Sequence, residues 1–256
     1  MSRNKELLSK IGLRLDGRRA NELRRIRCKL GVFGQPDGSA YLEQGLTKVL
    51  AAVYGPHQVR GNKSKARHDE CILNCQFSMA VFSTSERKKR PRGDRKSTEM
   101  SLHLHQALLS VIKTELYPWS QIDVYVEVLH ADGGVYSACV NAATLALIDA
   151  GIPLKEYVCS CTASLANNDI PMVDIAHQEE MLGGATLTVA AMPMSGKIVL
   201  MEMSQRFHMD HLSKVMEKAL QGCKDIKVIL DQAIRDHVKD VGCSTGWANT
   251  NQKVGR

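Results

Sequence analysis

Apolar and polar residues alternate in short runs through the first part of the chain, at 26–33, 39–44 and 47–54, and again at 71–82. A period of two puts every second side chain on one face, so each run predicts a half-buried strand. Pro36-Asp37-Gly38 and Gly45 divide the first three into a meander of antiparallel strands, and Gly55-Pro56 is read as the stop of the third. The period then lengthens. Leu102, Leu104, Leu108, Leu109 and Ile112 supply the apolar surface of a helix over 97–116. Ser97 is its expected cap, Glu99 lies in the first turn where an acid suits the dipole, and Pro118 follows its end.

The remainder repeats the alternation between periods. A strand at 121–130 runs into the turn Ala131-Asp132-Gly133-Gly134 and then a buried helix at 135–150, rich in Ala and Leu and closed by Gly151 and Pro153. Four further strands are predicted at 157–166, 170–177, 185–192 and 197–203, parted by Asn167-Asn168-Asp169, Gly183-Gly184 and Ser195-Gly196. A long amphipathic helix over 209–241 closes the pattern, and 242–256 lack periodicity, as a disordered tail would. With no linker or tandem repeat, the expected organisation is an arm at 1–12, one domain of the α/β (α+β) class at 13–241, and the tail.

At 256 residues and 44% hydrophobic content, the chain can bury one sizeable core. Its net charge of +7 suits a polyanion such as nucleic acid, through phosphate neutralisation. Much of the charge sits in two stretches between predicted elements. One carries Arg60, Lys63, Lys65 and Arg67; the other carries Arg87, Lys88, Lys89, Arg90, Arg92, Arg95 and Lys96 against the single acid Asp94. Six more arginines (14, 18, 19, 24, 25 and 27) crowd the N-terminal part. Aromatic residues for base stacking are few, and no RRM, KH, zinc-knuckle, Walker or dinucleotide-binding motif occurs.

No run approaches a membrane span or the apolar core of a secretory leader, so an intracellular protein with reduced thiols is expected. Cys71 with Cys75, and Cys159 with Cys161, fall on one face of their strands without the spacing of a zinc knuckle, and read as small buried residues. His103 and His105 are two apart on a helix and share no face. Met192, Met194, Met201 and Met203 read as core filling. No metal site and no cofactor are expected.

Four segments, RLDGRRANELR, DGSAYLEQGLTKVLAAVYGP, VFSTSERKKRPRGDRKSTEM and ADGGVYSACVNAATLALIDAGIP, together resemble the RNase PH family, over about 13–241. Within the family, they resemble the eukaryotic exosome ring subunit equivalent to the active subunit of the archaeal ring. The resemblance implies a βαβα-type sandwich. It also implies descent among phosphorolytic 3′→5′ exoribonucleases, in which inorganic phosphate attacks the terminal phosphodiester and releases a nucleoside diphosphate.

Such chemistry brings two polyanions together, so it needs fixed positive charge and oriented backbone donors. Active relatives carry Gly-Thr-Arg or Gly-Ser-Arg at the turn before the second helix; here the turn is Gly133-Gly134-Val135-Tyr136, with neither the hydroxyl nor the arginine fork. Arg95 and Lys96 match the basic pair that relatives use at the start of the first helix. The two aspartates that supply the general acid and a magnesium site fall on Glu180, one methylene longer, and Thr186, which is no anionic ligand. A positioned acid–base group is worth about 10²–10⁴-fold in rate.

The expectation is therefore a non-catalytic ring subunit with a degenerate site at Lys96, Tyr136, Glu180 and Thr186. Its basic loops would pass single-stranded RNA toward separate hydrolytic nucleases. Expected partners are paralogous RNase PH-like subunits in a hetero-hexameric ring, oligonucleotide-binding cap proteins and hydrolytic exoribonucleases, in the nucleus, nucleolus and cytoplasm. The alternatives are an active phosphate-dependent exoribonuclease using Glu180, and a free RNA-binding protein outside any ring.

Overall fold

The computed structural model describes residues 7–9, 11–59, 68–87, 93–166, 170–182, 184–206 and 208–244. The predicted meander is present as β1 (Ile26–Leu30), β2 (Gly38–Gln44) and β3 (Thr47–Gln58), each antiparallel to the next. β5 (Ser120–His130) adds antiparallel to β3, and β4 (Ile72–Met79) adds parallel to β5, giving a five-stranded sheet in the order β1-β2-β3-β5-β4. A parallel pair needs a crossover, and α1 (Arg95–Leu109) supplies it. The second sheet runs β7-β6-β8-β9, all antiparallel, from β6 (Cys159–Ala166), β7 (Ile170–Val173), β8 (Thr186–Met192) and β9 (Lys197–Met203).

The two sheets share α2 (Val135–Asp149), which is buried from Tyr136 to Leu147. A helix with no polar face must be covered all round. One side meets β2, where a Cβ on Gly38 would lie 2.3 Å from the Ala146 carbonyl oxygen and the Ala150 nitrogen. The other side meets β6, where the Asn141 side chain donates to the Ser160 carbonyl at 3.1 Å and accepts from the Ser160 N–H at 2.9 Å. Across the second sheet lies α4 (Met209–Ser244), whose buried stripe of Val215, Ala219, Cys223, Ile226, Leu230 and Ile234 repeats at helical spacing. Gly222 lets α4 close on Cys161 and Val173. The layers are thus sheet, helix, sheet, helix, the sandwich the resemblance implied.

Several predicted boundaries are corrected. β3 does not stop at Gly55-Pro56 but resumes pairing at His57 after a register shift, which absorbs a proline that has no N–H to offer the ladder. α1 begins two residues earlier than expected, with Asp94 rather than Ser97 as its cap; the Asp94 carboxylate accepts from the Arg95 N–H at 2.8 Å. It ends at Leu109 because the backbone beyond bonds elsewhere: Lys113 N–H donates to Pro153 and Lys155 N–H to Val111. Leu104, Leu108 and Ile112 are buried, whereas Leu102 and Leu109 are exposed.

The strand expected over 170–177 ends at Val173, since Asp174 has φ +56° and α3 (His177–Met181) starts soon after. α4 runs three residues past its expected end; the chain from 245 on lies outside the described residues. Met194, Met201 and Met203 are exposed rather than core-filling: Met194 lies in the turn between β8 and β9, and the other two on β9, the edge strand of its sheet. Leu8 of the arm is buried against Ala166 and Met172. Among the described residues no helix is long and apolar enough to cross a membrane.

Gly38→Ala should cost about 1–3 kcal/mol, because the added methyl meets helix backbone that cannot swing aside; urea unfolding of the two proteins measures the difference. Burial pushes the thiols of Cys139, Cys159, Cys161 and Cys223 well above their ordinary range, and only the thiolate reacts. Alkylation of native protein at mildly alkaline pH should accordingly take exposed Cys243 first and reach these four only on unfolding, as mass spectrometry of the labelled chain would record.

Candidate active-site cleft

The strand–turn–helix unit read from the sequence is where the cleft forms. β5 ends at His130, the chain turns through Ala131 to Gly134, and α2 starts at Val135. Gly133 and Gly134 both take left-handed backbone, at φ +79° and +59°. At Gly133 a Cβ would also lie 2.6 Å from the His177 nitrogen and the Ile175 carbonyl oxygen, so only glycine lets this turn pass under α3.

An arginine and a carboxylate hold the turn from below. Arg24 and Asp174 are both buried. Asp174 Oδ2 accepts from the Arg24 backbone N–H at 2.7 Å; Oδ1 accepts from Arg24 Nη2 at 2.8 Å, Arg24 Nε at 3.1 Å and Gln44 Nε2 at 2.8 Å. The same guanidinium donates to the Asp132 carbonyl at 2.6 Å and to the Gly133 carbonyl at 3.2 Å, and Thr47 Oγ1 donates to Gly133 at 2.9 Å. Burial works against the Arg24 charge, but the Asp174 carboxylate more than offsets it, so the guanidinium pKa stands above its usual value. A second buried pair, Arg14 with Glu179, ties the segment before β1 to α3; Arg14 also donates to the carbonyls of Val173 and Asp174. Asp174, read from the sequence as part of strand structure, is instead the centre of this network.

Above the turn lies a cavity of about 420 Å³. Lys96, Gly133, Gly134, Val135, Tyr136, Glu180 and Thr186 all line it, so residues from four separate elements are brought together around one space. Arg95 is exposed in the first turn of α1 and is not part of the lining. Arg87 is exposed in the preceding loop, and Arg60, Lys63, Lys65, Arg67, Lys88, Lys89, Arg90 and Arg92 lie outside the described residues.

Tyr136 is 5% exposed, and its hydroxyl has no hydrogen-bond partner. Burial, and then the neighbouring Glu202 carboxylate, hold its phenol far above its ordinary pKa, so it is neutral and carries no charge for an anion. His103 meets the Tyr136 ring edge-on, at 6.0 Å between centroids, and its Nδ1 lies 3.6 Å from Glu202.

Glu180 sits on the short helix α3, between the strands expected at 170–177 and 185–192; it is exposed, and its carboxylate has no hydrogen bond or ion pair among the described residues. Thr186 opens β8, and its hydroxyl shares a 2.6 Å hydrogen bond with Ser204 Oγ. Glu180 and Thr186, one carboxylate and one committed hydroxyl, are too few oxygen ligands between them for a divalent cation. Among the described residues no group of three or more His, Cys, Asp or Glu could hold a metal ion.

Sequence reasoning missed Thr162, Thr188, Glu202 and Ser204, which also line the cavity. Glu202 had a signal, as the only acid in a strand that is otherwise apolar after Lys197.

Comparison with known proteins agrees with this architecture. The family model described as "3' exoribonuclease family, domain 1" matches residues 22–153, and its domain 2 matches 156–222. The chain belongs to the RNase PH family of 3′ exoribonucleases. It is 54% identical over 241 residues to the exosome complex component RRP41 of Homo sapiens, covering 94% of this chain and 98% of that one. It is 40% identical over 245 residues to the exosome complex component Rrp41 of Thermoplasma acidophilum, with the same coverages. Two solved structures share the RNase PH fold. Rice Rrp46 has a TM-score of 0.76 at 22% identity, covering 86% of this chain and all of that one; the Archaeoglobus fulgidus exosome with RNA bound to the active site gives 0.73 at 18%, covering 85% and 92%.

Replacing Asp174 by Asn keeps the size and tolerates the left-handed backbone, but removes the hydrogen-bonded counter-ion of buried Arg24 and leaves it the Asp132 carboxylate at 3.9 Å. Asp174→Asn should therefore destabilise the fold by about 3–5 kcal/mol, measured by denaturant unfolding.

Proposed function

We propose that this chain is a ring subunit of an RNA exosome, of the type numbered exosome component four, and that it has no phosphorolytic activity of its own. Its high identity over nearly full length to chains named exosome complex component RRP41 supports the ring assignment. The observation that carries the lack of catalysis is the wall of the cleft at the start of α2. An attacking phosphate would meet Val135 and a neutral, buried Tyr136 there. Anion attack on an anion needs concentrated positive charge, and among its described residues this lining holds three carboxylates, of Asp94, Glu180 and Glu202, and the single ammonium of Lys96.

In this reading the subunit acts through its scaffold and its loops. Partner RNase PH-like chains complete the ring, cap proteins and hydrolytic nucleases attach to it, and the basic stretches at 60–67 and 87–96 guide single-stranded RNA, wherever in nucleus, nucleolus or cytoplasm the complex works. Reconstituted rings without hydrolytic nucleases, given magnesium, inorganic phosphate and RNA, should release no nucleoside diphosphate. Phosphate-dependent release that disappears with Glu180→Gln would establish the alternative, an active phosphorolytic nuclease. Converting Arg87, Lys88, Lys89 and Arg90 to Glu should weaken RNA binding by the assembled ring. It should also flatten the dependence of log affinity on log salt by about 0.7 for each RNA phosphate that the protein no longer neutralises; filter binding across a salt series reads both.

A further inference from the structure

Among the described residues, two that are not glycine take left-handed backbone: Asp174 at φ +56° and Trp119 at φ +62°. Such a conformation costs energy for a residue with a Cβ, most for a bulky one, and it persists where its surroundings hold it, often at a functional position. Asp174 is held by the buried charge it pairs with. Trp119 gains no comparable burial, since it is 50% exposed. Hydrogen bonds on either side of it pin the turn that carries it: Cys71 N–H donates to the Thr114 carbonyl at 3.1 Å, and Ser120 Oγ to the Tyr117 carbonyl at 2.6 Å. The indole itself meets the ring of His68 edge-on, with 4.0 Å between centroids and 73° between planes. A large aromatic ring is thus held out toward solvent by a strained turn and steadied by a second ring.

Its place in the fold says what the ring would meet. Ser120, the next residue, pairs with Gln58 across the β3–β5 ladder, and His68 touches the indole, so the chain leaves at 59 and returns at 68 beside Trp119. The sequence between holds Arg60, Lys63, Lys65 and Arg67 and no acid. A half-open aromatic ring next to concentrated positive charge is the combination that holds single-stranded nucleic acid, the ring stacking on a base while cations neutralise phosphates. Asp69, Glu70 and Glu115 are close to these two residues in the chain, and their charge favours contact through an uncharged base over contact through phosphate. We propose that Trp119 stacks on one base of single-stranded RNA, and that His68 is a positioning residue that holds the indole ready for it. The inference rests on the RNA-guiding reading above and deepens it. An assembled ring that binds no RNA defeats that reading, whereas a ring that binds RNA equally well without the indole defeats the inference alone.

Filter binding of a uridine oligonucleotide to the reconstituted ring, without hydrolytic nucleases, decides it. Asn tolerates left-handed backbone, so Trp119→Asn removes the ring without straining the turn further, and its melting curve confirms the fold. Trp119→Asn should weaken binding by about fivefold or more, and Trp119→Tyr, which keeps a ring, by less. The slope of log affinity against log salt should stay as it was, because no phosphate contact is lost. A ribose-phosphate chain of the same length without bases should bind wild type and Trp119→Asn alike. His68→Ala should lose part of the affinity, and His68→Tyr, which restores a ring against the indole, should recover most of it; no recovery would remove His68 from the proposal. Affinity unchanged in Trp119→Asn, an equal loss on the base-free chain, or a flattened salt slope would overturn it. So would failure of Trp119→Asn to enter the ring, which would assign the indole to a neighbouring protein chain instead of a base.

Discussion

One buried charge pair organises this molecule. Arg24 comes from the segment before the first sheet and Asp174 from the end of β7 in the second, and they meet beneath the turn that starts the central helix. A guanidinium has five donors in a fixed plane. Here they satisfy a carboxylate and two carbonyls of a turn whose glycines give it no side chain to anchor itself. Asp174 in turn takes Gln44 and the Arg24 backbone, so both sheets are referred to one point. Replacing such a pair with apolar residues can be neutral for stability, whereas removing one partner is not. Its contribution is therefore positional. It fixes where the first N–H groups of α2 point, and with them the floor of the cleft.

The elements were legible because each announces its period, whereas their layering was implied by the family resemblance. Alternation in 39–44 and 47–54 and the mostly small and apolar residues of 135–150 follow directly from burial on one face or on all. The boundaries were less legible, for a physical reason. In isolation Gly55-Pro56 reads as a breaker and the residues after Leu109 read as helix, but their backbone groups find partners in distant segments: β5 for the first, 153–155 for the second. Local chemistry does not encode those partners.

The site divides in the same way. Gly133 to Tyr136, Lys96, Glu180 and Thr186 lie in motif-bearing segments, and the structure gathers them around one cavity. Glu202 and Ser204 lie in or just after an edge strand with no motif, and reach the cleft only because β9 pairs with β8, placing Glu202 opposite Thr188. The arginines near the N-terminus illustrate the opposite error. A crowd of positive charge suggests a polyanion, yet Arg14 and Arg24 are buried against Glu179 and Asp174 and are closed to any ligand. Burial decides which basic residues can meet RNA, and periodicity does not report it for residues outside regular elements.

Scaffold and chemistry are carried by separate residues in this cleft. The shape depends on Arg24, Asp174, the glycine turn and the packing of α2 between sheets, all deep in the structure. The reactive character would depend on side chains at the helix start and on α3, where Val135 and Glu180 line the cavity. Exchanges at such positions leave core packing intact and cost little stability, whereas a change at Asp174 strands a buried charge. A chain can thus keep the packing of its core while the side chains that line its cleft vary. Tyr136, whose ring is held in the core while its hydroxyl is left buried and unpartnered, stands where the two demands meet.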